Sequence, residues 1–285
     1  MCKMKKILWI ASLLLAAILF LFDQNNRIGI SSIEVKDSQL PSEFQNYKIL
    51  HISDLHNKRF GKNQEKLMKE IVDIGPDLIV ITGDLIDRRR YNEEISLQLI
   101  KQIVKLAPVY FVTGNHEWWS GKWNSLHPKL EQYGVKVLSN SAEVIEKEGK
   151  SILLFGIDDP AKYSGGYYEK DVYLEGDLKS LIEEKYRDKF SILLAHRPEK
   201  FKTYSRYGVN LIFSGHAHGG QFRIPGIGGI WVPGQGFLPK YTSGVYQSEN
   251  SKMIVSRGLG NSIFPQRLFN RPELIVVTLN IDNTL

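Results

Sequence analysis

Tyr47-Lys-Ile-Leu-His-Ile-Ser-Asp-Leu-His56 is an apolar, β-prone run that gives way to an aspartate and a histidine two residues apart. The same design returns along the chain. Leu78-Ile-Val-Ile-Thr-Gly-Asp84, Val109-Tyr-Phe-Val-Thr-Gly-Asn-His-Glu117, Ser191-Ile-Leu-Leu-Ala-His196 and Leu211-Ile-Phe-Ser-Gly-His-Ala-His218 each put ligand-type side chains just past an apolar run. Between these runs lie stretches with helical spacing. Asn63–Ile74 carries Leu67, Met68, Ile71 and Ile74, and Gly75-Pro76 stops it; Asn92–Leu106, Lys122–Tyr133 and Leu178–Arg187 read the same way. Strands are expected over Tyr47–Ser53, Asp77–Thr82, Pro108–Thr113, Phe190–Ala195 and Val209–Phe213, with several short ones between Val135 and Ile157. The last third, from Gly215 to Leu279, is rich in Gly and Pro and holds short β-runs such as Met253–Val255 and Leu274–Leu279. Alternation of strand and helix signals an α/β fold, in which ligands gather at the carboxyl ends of strands.

The composition narrows the chemistry. With 42% hydrophobic residues in 285, the chain can bury a real core. Of the +6 formal charge, Lys3, Lys5, Lys6 and Arg27 against Asp23 place +3 in the first 28 residues, so a nucleic-acid groove is disfavoured. Cys2 is the single cysteine, which excludes an internal disulfide and a thiolate cluster. Any metal must therefore use oxygen and imidazole.

Lys3, Lys5 and Lys6 precede an uncharged apolar run from Ile7 to Phe22, closed by Asp23-Gln-Asn-Asn26. Sixteen helical residues span roughly 24 Å, somewhat short of a bilayer core of about 30 Å, a gap that snorkelling lysines and Trp9 can bridge. The run is expected to be an uncleaved membrane anchor over residues 1–28, followed by one catalytic domain over 29–285. Lysines before the span put the N-terminus in the cytoplasm and the remainder outside. The competing reading is export after signal-peptide cleavage, but no pair of small residues follows Phe22.

Five of the seven histidines fall in the five motifs. Residues two apart on a strand share a face, so Asp54/His56 and His216/His218 are each expected to aim at one ion from one backbone, and all the motifs to collect at one sheet edge. Each motif alone has a bland reading: His196 as a core histidine, Gly83-Asp84 as a turn, Asn115 as a cap. Together they form a pattern that chance does not account for. Two divalent ions set against only two carboxylates, Asp54 and Asp84, leave a net positive site, which suits a phosphate anion.

The motifs D-x-H, G-D, G-N-H-E, H and G-H-x-H, in this order over Lys48–Leu279, resemble the calcineurin-like metallophosphoesterases. The resemblance implies two mixed β-sheets packed face to face and flanked by helices. It implies Asp54, His56, Asp84 and His218 on one metal and Asp84, Asn115, His196 and His216 on the other, with Asp84 bridging. It also implies in-line attack of a metal-bridging hydroxide, with His116 serving the leaving oxygen. At the place where purple acid phosphatases carry a ligand tyrosine stands Asp87. The extra histidine His218 is similar to the phosphodiesterase-like branch, and the anchor together with Gly156-Ile-Asp-Asp-Pro160 and Gly219-Gly-Gln221 is most similar to a bacterial membrane-bound or exported subgroup. The expected substrates are therefore phosphodiesters or lipid-linked pyrophosphates, with a broad phosphomonoesterase or a non-catalytic metal-binding module as alternatives. Manganese, iron and zinc all suit the donor set. Oligomeric state leaves no mark in the sequence.

Outside the motifs, Trp118, Trp119 and Trp123 are expected to pack the next helix onto the sheet; the alternative is a greasy rim formed with the apolar loop Ile224–Pro233. Arg197 and Arg257 are candidate phosphate clamps by charge type, although ion pairs explain them equally. Asp87, Asp158 and Asp159 are expected as loop caps or as supports of the ligands, and His51 and His127 as structural.

Overall fold

The computed structural model describes residues 2–163, 171–182, 188–232, 235–248, 250–261 and 263–282. Its first element, α1 (Cys2–Asn26), continues the apolar run by a turn at each end. At 25 residues it is about 37 Å long, enough to cross a bilayer core. Its apolar side chains from Ile7 to Phe22 are largely exposed, as no soluble core helix would leave them.

Then follow β1 (Gly29–Asp37), β2 (Tyr47–Ile52), α2 (Glu65–Ile74), β3 (Leu78–Thr82), α3 (Glu93–Ile103), β4 (Val109–Val112), α4 (Asn115–Trp119), α5 (Trp123–Gln132) and β5 (Val135–Val137). The second half comprises β6 (Ser141–Lys147), β7 (Lys150–Gly156), α6 (Asp171–Leu181), β8 (Ser191–Leu194), α7 (Phe201–Ser205) and β9 (Leu211–Ser214). Two short hairpins pair β10 (Arg223–Ile224) with β11 (Gly228–Gly229) and β12 (Trp231–Val232) with β13 (Gly236–Phe237), before β14 (Gly244–Ser248), β15 (Ser251–Val255) and β16 (Glu273–Ile281). The helix expected over Leu178–Arg187 starts earlier and is described only to Leu181; residues 183–187 of that expectation lie outside the described residues.

The strands form two six-stranded mixed sheets, β1-β16-β2-β3-β4-β5 and β14-β15-β9-β8-β7-β6. Alternation on the pleat explains why they stack. Ile49, Val80, Tyr110 and Val112 of the first sheet meet Leu154, Ile192, Leu194 and Phe213 of the second in one buried cluster. The opposite faces are covered by helices: Leu50, Ile52 and Ile81 pack under α2, α3 and α5, while Phe155, Leu193 and Ile212 pack under α6 and α7. The strands β2, β3 and β4 run parallel, as do β7, β8 and β9, so both sheets present several carboxyl ends at one end of the sandwich.

Candidate metal centre

All five motifs lie at those carboxyl ends, just beyond β2, β3, β4, β8 and β9, four of them in turns and Asn115-His116-Glu117 at the start of α4. The expectation of a single sheet edge is thereby corrected. Asp54, His56, Asp84 and Asn115 come from the first sheet, and His196, His216 and His218 from the second, across the sandwich. The same-face argument is corrected too. Asp54, His56, Asp84, His216 and His218 all lie past the strand ends with φ between 47° and 63°, in the left-handed region. Held there, each costs on the order of 1 kcal/mol or more, a strain that persists only where the surroundings enforce it. The enforcement is visible in backbone hydrogen bonds: Asp54 donates to the Gly83 carbonyl (3.0 Å), His56 to that of Asp84 (3.0 Å) and Gly215 to that of His196 (3.0 Å). Close approach also demands glycine. A Cβ on Gly83 would collide with the backbone of Gly114, and one on Gly215 with Ser53 and the Asp54 carboxylate.

Two clusters result, each with potential ligand atoms within 4.8 Å of one another: Asp54, His56, Asp84 and His218, and Asp84, His196 and His216. Asp84 belongs to both. Its Oδ2 lies 3.4 Å from His56 Nε2 on one side and 3.5 Å from His196 Nε2 on the other, while Oδ1 accepts the His116 backbone N–H at 2.8 Å. Asp54 Oδ1 lies 3.3 Å from His218 Nε2, and the Ser53 hydroxyl donates to its Oδ2 at 2.6 Å.

The arrangement fits cations. His196 Nδ1 stands 2.6 Å from the Thr82 carbonyl, so this nitrogen carries a proton and Nε2 is the nitrogen that faces inward, where it would be free to ligate a cation. Asn115 Oδ1 is buried and has no hydrogen-bond partner among the described residues, as an oxygen reserved for a ligand would be. His56 and His218 turn their Nε2 atoms to each other at 3.0 Å, with Asp84 Oδ2 3.4 Å from the first and Asp54 Oδ1 3.3 Å from the second, so nitrogens and carboxylate oxygens converge on one point. Burial opposes ionisation of Asp54 and Asp84, yet the surrounding histidines hold both well below the usual carboxylate range. Burial likewise opposes charge on His196, but the adjacent Asp84 carboxylate pushes its pKa up to about 10, so this corner of the centre favours positive charge.

His116 follows Asn115 on α4 and belongs to neither cluster. Its Nδ1 accepts the Arg88 backbone N–H at 3.1 Å, which fixes the neutral tautomer with the proton on Nε2, 4.0 Å from Asp84 Oδ2. Burial holds its pKa below the ordinary histidine value against the pull of Asp84. His116 thus offers one N–H toward the centre, as its expected role requires.

Two residues essential to the geometry had no assigned role in the sequence. Glu117 is fully buried and accepts the backbone N–H of Asp84 (2.8 Å), Leu85 (2.9 Å), Ile86 (3.3 Å) and Gly114 (2.7 Å), tying the Asp84 turn to the Asn115 turn. Burial and the Asp84 charge push its pKa up to about 7, against those four N–H groups that favour the anion. Arg267 lies buried beneath His218, 3.5 Å from its Nδ1, and donates to the carbonyls of Arg257, Gly260 and Asn270. Burial lowers its pKa to about 10, so it stays charged. The signal for Glu117 was its place in the fourth position of G-N-H-E; no local signal distinguished Arg267.

Both candidate clamps are held in ion pairs, and Arg197 also reaches the centre, with Nη1 3.5 Å from His216 Nε2. Arg197 forms a two-pronged, buried pair with Asp159 (2.8 and 3.2 Å), and Arg257 pairs with Glu273 (2.7 Å). Asp87 caps Arg89 N–H and pairs with Arg90, while Asp158 accepts Thr113 and Lys162. His51 packs between the sheets with Nε2 2.8 Å from the Thr82 hydroxyl, and His127 stacks on Trp123, both structural as expected. Trp123 is buried and Trp118 packs against the same core with its indole N–H on Thr113; the Arg88 guanidinium covers Trp119 at 4.7 Å. The tryptophans therefore pack, and leave little of Trp118 and Trp123 for lipid.

Comparison with known proteins agrees with this geometry. A family model for calcineurin-like phosphoesterase matches residues 47–220, a span that contains every motif residue. The uncharacterized metallophosphoesterase YkuE of Bacillus subtilis is 31% identical over 255 residues, covering 87% of this chain and 84% of that protein. A Bos taurus transmembrane protein with a metallophosphoesterase domain is 29% identical over 88% of this chain, which matches only 57% of that longer protein. Among solved structures, TT1561 of Thermus thermophilus superposes with a TM-score of 0.50 at 15% identity, over 75% of this chain and 91% of that one, a likeness of fold. With more than half of its length matched by the family model, the chain belongs to the calcineurin-like phosphoesterases, a dinuclear-metal family, and is a metal-dependent phosphoric ester hydrolase.

Proposed function

We propose that the chain is a membrane-anchored hydrolase of phosphodiester or pyrophosphate bonds, with Asp54, His56, Asp84 and His218 holding one divalent ion and Asp84, Asn115, His196 and His216 the other. The observation that carries this reading is the Asp84 oxygen placed between two clusters of inward-facing imidazoles. Manganese, iron or zinc in those positions would supply charge to offset the phosphoryl oxygens and would make water a nucleophile near neutral pH. Asp54 and Asp84 hold the negative charge that fixes this positive pair, and Asn115 adds a neutral oxygen. His116 Nε2–H would hydrogen-bond the leaving oxygen and offset its growing charge without giving up the proton, since the Arg88 N–H on Nδ1 holds the ring as the neutral tautomer. Glu117 and Arg267 touch no reacting atom and act as positioning residues.

Membrane anchoring is supported by α1 and by the transmembrane name of the Bos taurus relative. We place residues 1–28 as cytoplasmic tip and anchor, with Lys3, Lys5 and Lys6 inside and residues 29–285 as an extracytoplasmic catalytic unit. An anchor in the bilayer favours lipid-linked phosphates as substrates over freely diffusing ones. The test compares hydrolysis of an aryl phosphodiester, an aryl phosphomonoester and a lipid pyrophosphate by the full chain in detergent with added manganese or zinc. Preference for the diester or the pyrophosphate is expected. Faster cleavage of the monoester would instead favour a broad phosphomonoesterase, and binding of metal without turnover of any of the three a non-catalytic module.

A further inference from the structure

The end of α1 is not a free tether. Gln266 donates its side-chain amide to the Leu21 carbonyl at 2.9 Å, the Phe269 ring packs on Phe20 at 5.5 Å, and Asn25 accepts the Arg267 backbone N–H at 2.9 Å. Arg271 pairs with Asp23 and Lys58 donates to the Asn25 carbonyl. These contacts set a depth. Phe20 and Leu21 lie inside the apolar run, about 3–5 Å below Asp23 at 1.5 Å per residue. If α1 spans a bilayer, residues 266–269 already reach the boundary of its hydrocarbon.

The hairpin β10–β11 is fastened to the same loop. Phe222 bridges Leu268, Arg223 donates its backbone N–H to the Leu268 carbonyl at 3.0 Å, and the Phe264 ring packs edge-on against both Phe222 and Trp231. Ile224, Ile227 and Phe269 line one groove there of ≈ 500 Å³. Exposure of the apolar side chains is high: Ile227 65%, Phe269 50%, and Phe237 and Leu238 on the second hairpin 79% and 67%. A soluble surface rarely gathers so many large apolar side chains. At the level of a membrane boundary they cost nothing to expose.

We infer that the hairpins of residues 222–232 and 236–238, with the loop 263–271, form a surface that seats in the lipid bilayer beside α1. The inference rests on the membrane-anchor reading and extends it from a tether to a docked face. Asn270 donates to the carbonyls of both His218 and Gln221, at 2.7 and 3.0 Å, so this face joins the His218 side of the metal centre directly. Seating therefore holds the catalytic end of the sandwich at the lipid headgroups, at a fixed tilt.

The test uses the full chain in nanodiscs, one chain per disc, in a Cys2→Ser background. A bimane label is attached at Ile227→Cys, Phe237→Cys, Leu14→Cys in the anchor, or Val144→Cys. Val144 is exposed on β6, at the opposite edge of the sandwich from β1. Discs carry either ordinary or brominated acyl chains, and neither reading requires activity. The expected result is loss of emission in brominated discs at positions 14, 227 and 237, with no loss at 144. Loss at 14 with 227 and 237 as insensitive as 144 would overturn the docked face while sparing the anchor. No loss at 14 would overturn both. Labels at 227 and 237 shielded from aqueous iodide as well as from brominated lipid would show a protein covering, and would also overturn the inference.

Discussion

The floor of the site and its rim are built by opposite means. The floor, residues 53–57, 83–87, 114–117, 196 and 215–219, is almost fully buried, strained into left-handed turns and cross-tied by backbone and carboxylate hydrogen bonds. The rim, residues 222–232, 235–238 and 263–271, is made of two-residue strands and exposed apolar side chains, and is held mainly by ring contacts and by the end of α1. The difference teaches where each depends on its surroundings. The floor closes on itself within the sandwich and leaves room only for the proposed cations; the rim leaves its apolar side chains exposed, as the inferred bilayer contact requires.

Four variants separate the two, beginning with the largest effect. Asp84→Asn removes the charge shared by both clusters, and phosphodiester hydrolysis is expected to fall to the level of metal-free protein, with fewer ions bound per chain on elemental analysis. His116→Ala should lose about 10²–10⁴-fold in kcat while retaining its metal content if, as proposed, the imidazole serves the leaving oxygen and not the ions. In Glu117→Gln the two tied turns lose an ionic acceptor; about 1–3 kcal/mol of stability and about 10–100-fold in metal affinity should be lost, read by denaturant melts and by competition with a chelator. Ile227→Ser lies on the rim, and should change neither turnover of a soluble aryl ester nor stability by more than about 0.5 kcal/mol. Should the rim variant lose activity on that soluble ester, the division into floor and rim would fail.

The floor was the legible part. Its ligand-type residues sit directly after apolar runs, a local pattern, and the structure gathers Asp54, His56, Asp84, His196, His216 and His218 into two clusters, with the Asn115 segment tied to Asp84 through Glu117. What local pattern could not supply was the path between runs. Strand β1 pairs in parallel with β16, more than 230 residues away, and its half-exposed alternation gave no hint of that partner. The two-sheet architecture came from the family resemblance, not from periodicity, because strands of both sheets read alike. Spacing two apart did signal convergence at Asp54/His56, though through left-handed turns rather than strand alternation, whereas the expectation that His216 and His218 serve one ion is corrected: His218 joins the Asp54 cluster and His216 the His196 cluster. Charge type chose Arg197 and Arg257, whereas burial brought Arg267 under His218. Glu117 was in view within its motif, yet its purpose is to receive N–H groups from a turn about 30 residues earlier, and that is a fact of tertiary structure.

The central claim is that the Asp84 carboxylate joins two ions. It is tested most directly by stripping the full-length protein of metal, titrating manganese or zinc back, and counting ions bound per chain while following aryl phosphodiester hydrolysis. The account predicts two ions per chain, with turnover that appears only as the second binds and that Asp84→Asn abolishes. Full turnover with a single ion bound, or in the stripped protein, would contradict it.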